Sequence, residues 1–83
     1  MPFSKIIVFG TNWCGDCFRP RKFFKDHAIS YTWVNIDRDK KAEHFVIQAN
    51  RGYRSVPTIV FDDNTILVEP SNDELARKLG LAL

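Results

Sequence analysis

The two cysteines, Cys14 and Cys17, are the residues of this 83-residue chain best suited to chemistry. They follow residues 5–9, a short β-branched and aromatic run that predicts a buried strand. They precede aromatic residues at helical spacing, so they stand at a strand-to-helix junction. Two intervening residues let one helical turn hold both sulfurs close enough to bridge or separate with little backbone movement. This C-x-x-C pair therefore predicts thiol–disulfide chemistry.

The two sulfurs are expected to have different roles. Unpaired N–H groups and the helix dipole favour a negatively charged sulfur at a helix N-terminus. Cys14, at the cap, is therefore expected to attack, while Cys17, one turn into the helix, is shielded and resolves the mixed disulfide. A structural disulfide and half of a zinc site are the alternatives. A zinc site usually needs four ligands, and only His27 and His44 remain, neither at finger spacing.

Composition indicates one ordinary globular domain spanning residues 1–83, with 45% hydrophobic and 27% charged residues. The formal charge of +2 does not favour a polyanionic partner, and the basic residues of the first helix are typical of a solvated face. No apolar run approaches the ~20 residues of a membrane span, and no charged-then-apolar leader is present. We expect a cytoplasmic monomer that binds neither nucleic acid nor membrane, in a compartment where disulfides are transient.

The remaining patterns predict alternating strands and helices after a lead-in over residues 1–4. Strands are expected at residues 5–9, 30–36, 58–61 and 65–68, and helices at about 15–27, 40–50 and 73–79. The order β-α-β-α-β-β-α, with a hairpin turn at residues 62–64, predicts an α/β fold with one four-stranded mixed sheet.

Two helices also carry specific local signals. The run Asp37-Arg38-Asp39 is expected to cap the second helix, and Ser71 with Glu74 forms a capping-box pattern at the third. The second helix is expected to pack through an apolar side made of Ala42, Phe45, Val46 and Ala49.

Two motifs in this order resemble the glutaredoxins of the thioredoxin superfamily. They are residues 13–17, which follow a strand, and Ser55-Val56-Pro57, which precedes another. The resemblance covers nearly the whole chain, and residues 50–61 are most similar to the mycoredoxin-like branch. It implies a thioredoxin-like fold in its minimal form and a thiol–disulfide oxidoreductase acting on disulfide-containing proteins or mixed disulfides.

The resemblance also implies roles for individual residues. Cys14 would be the nucleophile, Cys17 the resolving cysteine, and Pro57 a cis-proline that exposes the Val56 backbone to an extended thiol peptide. No cofactor or metal is implied, but a small thiol, glutathione or mycothiol, would be the co-substrate. Its binding residues would be Trp13, Arg54, His44, Ser71 and Asn72, with the last two receiving a carboxylate at a helix N-terminus.

Three departures from the family pattern affect the small-thiol site. Between the cysteines, residues 15–16 replace the Pro-Tyr that is usual in the family. Residues 11–12 stand shortly before the first cysteine, where glutaredoxins often have a lysine. Before the last helix, residues 69–70 replace a pair of glycines. Two alternatives therefore stay open. One is a redoxin reduced by thioredoxin reductase that supplies ribonucleotide reductase. The other is an iron–sulfur or metal carrier in which Cys14 of two chains and two small thiols hold a cluster.

Overall fold

Four strands and three helices follow one another in the order β-α-β-α-β-β-α along residues 5–81, which are the residues that the computed structural model describes. The predicted element order and α/β class are confirmed, although the strands are shorter than predicted. The predicted lead-in, residues 1–4, lies outside the described residues. The strands are β1 (Ile7–Gly10), β2 (Thr32–Asn35), β3 (Thr58–Val60) and β4 (Ile66–Val68). The helices are α1 (Gly15–Asp26), α2 (Lys40–Ala49) and α3 (Asn72–Leu79).

The strands form one mixed sheet in the order β2-β1-β3-β4. Strand β1 pairs in parallel with β2 and antiparallel with β3, and β4 pairs antiparallel with β3. A parallel pair needs a crossover connection, which α1 supplies, whereas a short turn suffices between β3 and β4. The central strand β1 therefore leads directly into the segment that carries the cysteines.

Side chains from this central strand supply both hydrophobic cores. Ile6 and Val8 join a cluster with residues of α1 and α3, including Phe24 and Leu75. Phe9 joins a second cluster on the other face of the sheet, together with residues of α2. Because successive side chains of a strand point to opposite faces, one apolar run fills both layers. The sequence-based prediction of a strand buried on both faces is confirmed.

The second helix packs through a slightly different face from the one that its apolar residues predict. Ala42 and Val46 are buried, and the Phe45 ring lies 5.0 Å from that of Phe9. Ala49 is exposed, so its predicted place on the packed side is wrong. The packed stripe runs through Ala42, Val46 and Asn50, whose side-chain amide donates to the Thr58 hydroxyl in β3 at 3.1 Å, and Ala49 lies beside this stripe, facing solvent.

Both predicted helix caps are confirmed. The Asp39 carboxylate accepts a hydrogen bond from the Ala42 amide at 3.0 Å. At α3 the Ser71 hydroxyl accepts from the Glu74 amide at 3.1 Å, while the Glu74 carboxylate accepts from the Ser71 amide at 2.9 Å. These bonds satisfy amide groups that have no partner within the helix.

Gly10, the last residue of β1, allows the cysteine helix to approach the sheet. A Cβ atom there would lie 2.6 Å from Cys17 Sγ and 2.6 Å from Cη2 of Trp33. Both distances are far below van der Waals contact, so any side chain at this position would force α1 and β2 apart.

We therefore expect Gly10→Ala to lower the free energy of unfolding by about 1–3 kcal/mol, the range typical of overpacking. Thermal denaturation of the reduced protein should show a melting temperature lower by roughly 4–8 °C for each kcal/mol. Gly15→Ala is the matched control, since a Cβ there meets nothing within 4 Å. A Gly10→Ala melting temperature equal to that of the wild type would contradict the packing argument.

Candidate active site

Cys14 is the N-cap residue of α1 and is partly accessible. Its backbone is extended, its amide donates to the Thr11 carbonyl at 3.4 Å, and its side chain makes no capping hydrogen bond. The Sγ atom instead lies 3.8 Å from the Val56 carbonyl oxygen. The sulfur thus stands at the positive end of the α1 dipole with a face open to solvent.

Cys17 lies one turn further along α1 and is only 1% exposed. Burial raises the pKa of its thiol to about 12, and a hydrogen bond with Cys14 acts in the same direction. The Thr11 backbone and the positive charge of Arg21 oppose this shift. Both cysteines are free thiols in the structure. The pair therefore consists of one accessible sulfur and one buried sulfur that stays protonated near neutral pH.

The segment before β3 faces these sulfurs. The peptide bond between Val56 and Pro57 is cis, as the resemblance implied, and Pro57 is buried. The Pro57 carbonyl accepts a hydrogen bond from the Glu69 amide at 2.9 Å, which ties this segment to the end of β4. Val56 thereby presents its carbonyl beside Cys14.

Trp13 and Arg54 are linked through the carboxylate of Asp37, which the sequence analysis assigned only to a helix cap. Trp13 is 70% exposed, and its indole N–H donates to Asp37 at 2.8 Å. The Arg54 guanidinium forms an ion pair with the same Asp37 and another, at 2.6 Å, with Glu43. The hydrogen bond from Arg54, which has the larger effect, and the hydrogen bond from Trp13 hold the pKa of the Asp37 carboxyl below its usual range. Two carboxylates therefore already occupy Arg54, which the resemblance implied as a small-thiol contact.

The other predicted thiol-binding residues lie on different sides of the sheet. Ser71 and Asn72 are exposed at the start of α3, where they line a shallow pocket with Arg19. The Arg19 guanidinium donates to the Pro70 carbonyl at 3.1 Å. His44 is exposed on α2, which packs on the opposite face from α1 and α3. The structure thus groups Cys14, Cys17 and the Val56–Pro57 segment by direct contact, but not His44 with Ser71.

Metal-binding clusters and membrane-spanning helices are both absent from residues 5–81. No three histidine, cysteine or acidic side chains there cluster closely enough to hold a metal ion. No helix in this part of the chain has the length and apolarity needed to cross a bilayer.

The sheet order and a C-x-x-C pair opening the first helix define a thioredoxin-like protein. The crystal structure of a mutant of the thioredoxin-like protein BC3987 matches with a TM-score of 0.80. The match covers 93% of this chain and 96% of that one at 22% sequence identity, and it confirms the predicted fold.

Sequence comparisons identify the family within this class. The Glutaredoxin family model matches residues 6–66, and the chain belongs to the glutaredoxin family. A Mycobacterium tuberculosis protein assigned to the glutaredoxins is 38% identical over 76 residues, covering 92% of this chain and 90% of its own. Mycoredoxin 1 of Corynebacterium glutamicum is 30% identical, and the match covers 92% of this chain and 94% of that protein. The glutaredoxin-like protein NrdH of Lactococcus lactis is 31% identical, and the match covers 70% of this chain and 78% of that protein.

Proposed function

We propose that this protein is a dithiol thiol–disulfide oxidoreductase in which Cys14 attacks mixed or protein disulfides and Cys17 resolves the intermediate. The observation that carries the proposal is the difference between the two sulfurs. Cys14 is accessible at the start of α1, whereas Cys17 is 1% exposed and held in the thiol form. Only a thiolate attacks a disulfide, so access and ionisation both favour Cys14 as the first nucleophile.

The proposed cycle transfers two electrons from the dithiol to the substrate. The Cys14 thiolate attacks one sulfur of the substrate disulfide, forming a mixed disulfide and releasing the other sulfur as a thiolate. Cys17 then loses its proton and attacks the Cys14 sulfur. The Cys14–Cys17 disulfide forms, the bond to the substrate breaks, and the second substrate thiolate leaves. Each released thiolate takes up a proton, and two reducing equivalents restore the dithiol.

An extended substrate segment fits the surface around Cys14. The Val56 carbonyl lies 3.8 Å from the Cys14 sulfur and offers a backbone acceptor. The exposed Trp13 ring, held by its bond to Asp37, offers an apolar contact next to the cysteine in the chain. A peptide that presents its disulfide to Cys14 could therefore bind through its own backbone and an adjacent apolar side chain.

Two kinds of reductant are proposed for the oxidised pair. The first is a small thiol, mycothiol or glutathione, as co-substrate. It is favoured by the relative named mycoredoxin 1 and by the similarity of residues 50–61 to the mycoredoxin-like branch. The NrdH relative favours the second candidate, a redoxin reduced by thioredoxin reductase that supplies ribonucleotide reductase.

The test is reduction of one mixed disulfide with glutathione, mycothiol, or thioredoxin reductase and NADPH, compared side by side. Turnover with a small thiol is the expected result, and turnover with the reductase alone would support the redoxin candidate. Absence of turnover with all three would overturn the proposed oxidoreductase function.

The start of α3 is the proposed receptor for a carboxylate of the small thiol. The positive end of the α3 dipole favours an anion and the exposed Asn72 amide adds a donor, against the opposing charges of Glu69, Asp73 and Glu74 in the same pocket. The Ser71 hydroxyl already accepts from Glu74, so Asn72 is the residue to change without disturbing the cap.

We expect Asn72→Ala to reduce kcat/KM about fivefold with a glutathione mixed disulfide, the value of one hydrogen bond of ~1 kcal/mol. The mixed disulfide of β-mercaptoethanol, which has no carboxylate, serves as the control substrate. An unchanged ratio between the two substrates would mean that Ser71 and Asn72 only begin the helix.

A further inference from the structure

Arg21 is a cationic side chain held against β2 by uncharged groups. Its guanidinium carbon lies 3.9 Å from the centre of the Trp33 ring, and its Nε–H donates to the Tyr31 hydroxyl at 3.3 Å. Neighbouring basic residues of α1 have carboxylate partners: Arg19 pairs with Asp16, and Lys22 with Asp26. Within residues 5–81, no ion pair involves Arg21. Its charge is therefore fixed in place without being neutralised.

Arg21 also lies on the side of α1 that carries Cys17. The two residues are four positions apart on α1, a spacing that places side chains next to each other on a helix. Trp33 and the Cys17 sulfur both approach within 2.6 Å of the point above Gly10 where a Cβ would lie. The ring that holds the guanidinium therefore also covers the buried sulfur.

We propose that Arg21, clamped by Trp33 and Tyr31, supplies the positive charge that stabilises Cys17 as it becomes a thiolate and attacks the Cys14 mixed disulfide. The inference rests on the proposed function, because it concerns the resolving step. Arg21 acts through Cys17 and is thus a positioning residue. In that step Cys17 loses its proton, the Cys14–Cys17 bond forms, and the substrate sulfur leaves with the electron pair of the broken bond and is protonated.

A buried sulfur with a thiol pKa of about 12 needs such help. The titratable and charged groups acting on Cys17 are Cys14 and Arg21, both from α1. The loop before α1 contributes the Thr11 backbone, and β2 contributes Trp33, which does not titrate. Once Cys14 is in a mixed disulfide it carries no charge, which leaves Arg21 as the charged side chain among residues 5–81 that lowers the pKa of Cys17. Its effect is strengthened by the low dielectric constant around a buried group.

The test separates the two half-reactions with dithiodipyridine, an uncharged disulfide near neutral pH. Attack by Cys14 releases one thiopyridone, and resolution by Cys17 releases the second, so stopped-flow absorbance gives both rates. We expect Arg21→Gln to slow the second release about tenfold, the effect of one pKa unit, and to leave the first unchanged. Raising the pH by about one unit should restore the second rate, since it compensates for a tenfold loss of thiolate.

Lys25→Gln is the matched control, because it removes the same charge from an exposed position on α1. It should leave both releases unchanged, and Arg21→Lys should recover most of the second. The role of Arg21 would be overturned if the Arg21→Gln variant released the second thiopyridone at the wild-type rate. If the Cys17→Ser variant still lost that release, the dithiol cycle would remain intact. A second release that persists in Cys17→Ser would instead overturn the proposed function itself.

Discussion

Replacement of Cys14 by serine is expected to abolish disulfide reduction, leaving only the rate at which the reductant acts alone. A serine hydroxyl is far less nucleophilic than a thiolate, and the contacts of Cys14 within residues 5–81 include no general base to activate it. Cys17 cannot take over, because it is 1% exposed and protonated near neutral pH. The measurement is turnover of a small mixed disulfide and of a protein disulfide by the purified variant.

The melting temperature of the reduced Cys14→Ser variant provides the control. The Cys14 side chain makes no capping bond, so its loss should leave α1 and the overall stability nearly unchanged. Residual turnover on either substrate, in a variant that melts like the wild type, would show that another group performs the first attack.

Cys17→Ser is expected to separate the two substrate classes. A second small thiol can reach and release a small mixed disulfide on Cys14, so turnover on that substrate should stay close to wild type. A protein trapped on Cys14 needs the neighbouring sulfur for its release, so most of the turnover on protein disulfides should be lost. Equal losses on both substrates would contradict the resolving role.

The resolving role of Cys17 can also be tested by trapping the mixed disulfide between Cys14 and the substrate protein. The Cys17→Ser variant incubated with a protein disulfide should accumulate a mixed disulfide that survives non-reducing electrophoresis and disappears with dithiothreitol. Cys14→Ser, the matched control, should accumulate none.

Local signals in the sequence predicted those parts of the fold that depend on neighbouring residues. The apolar run before the cysteines predicted a central strand, and Ile6, Val8 and Phe9 do supply both cores. Asp39 and Ser71 begin their helices as predicted, because a cap and its amide partner lie only three residues apart. Cys14 is the N-cap of α1 as its place between a strand and a helix predicted, although its side chain makes no capping bond.

Contacts between distant segments could not be predicted in this way. Asp37 and Arg54 lie 17 residues apart, and no spacing rule pairs them, so the carboxylates that neutralise Arg54 were missed. The close approach at Gly10 likewise exists only after Trp33 and Cys17 meet over the strand. The position of Ala49 was wrong because apolar residues alone identify a helix face only roughly, and the polar Asn50 takes the packed position through its bond to Thr58.

Limited alkylation of the reduced protein tests the central claim, the unequal roles of the two sulfurs, most directly. The protein is treated near neutral pH with less than one equivalent of iodoacetamide, and the labelled residue is identified by peptide mass mapping. A thiol pKa of about 12 rather than 9.0 lowers the reactive thiolate of Cys17. The reduction is roughly a thousandfold relative to an ordinary cysteine, before burial is considered. The account predicts label on Cys14 alone, whereas label on Cys17 at an equal or greater level would contradict it.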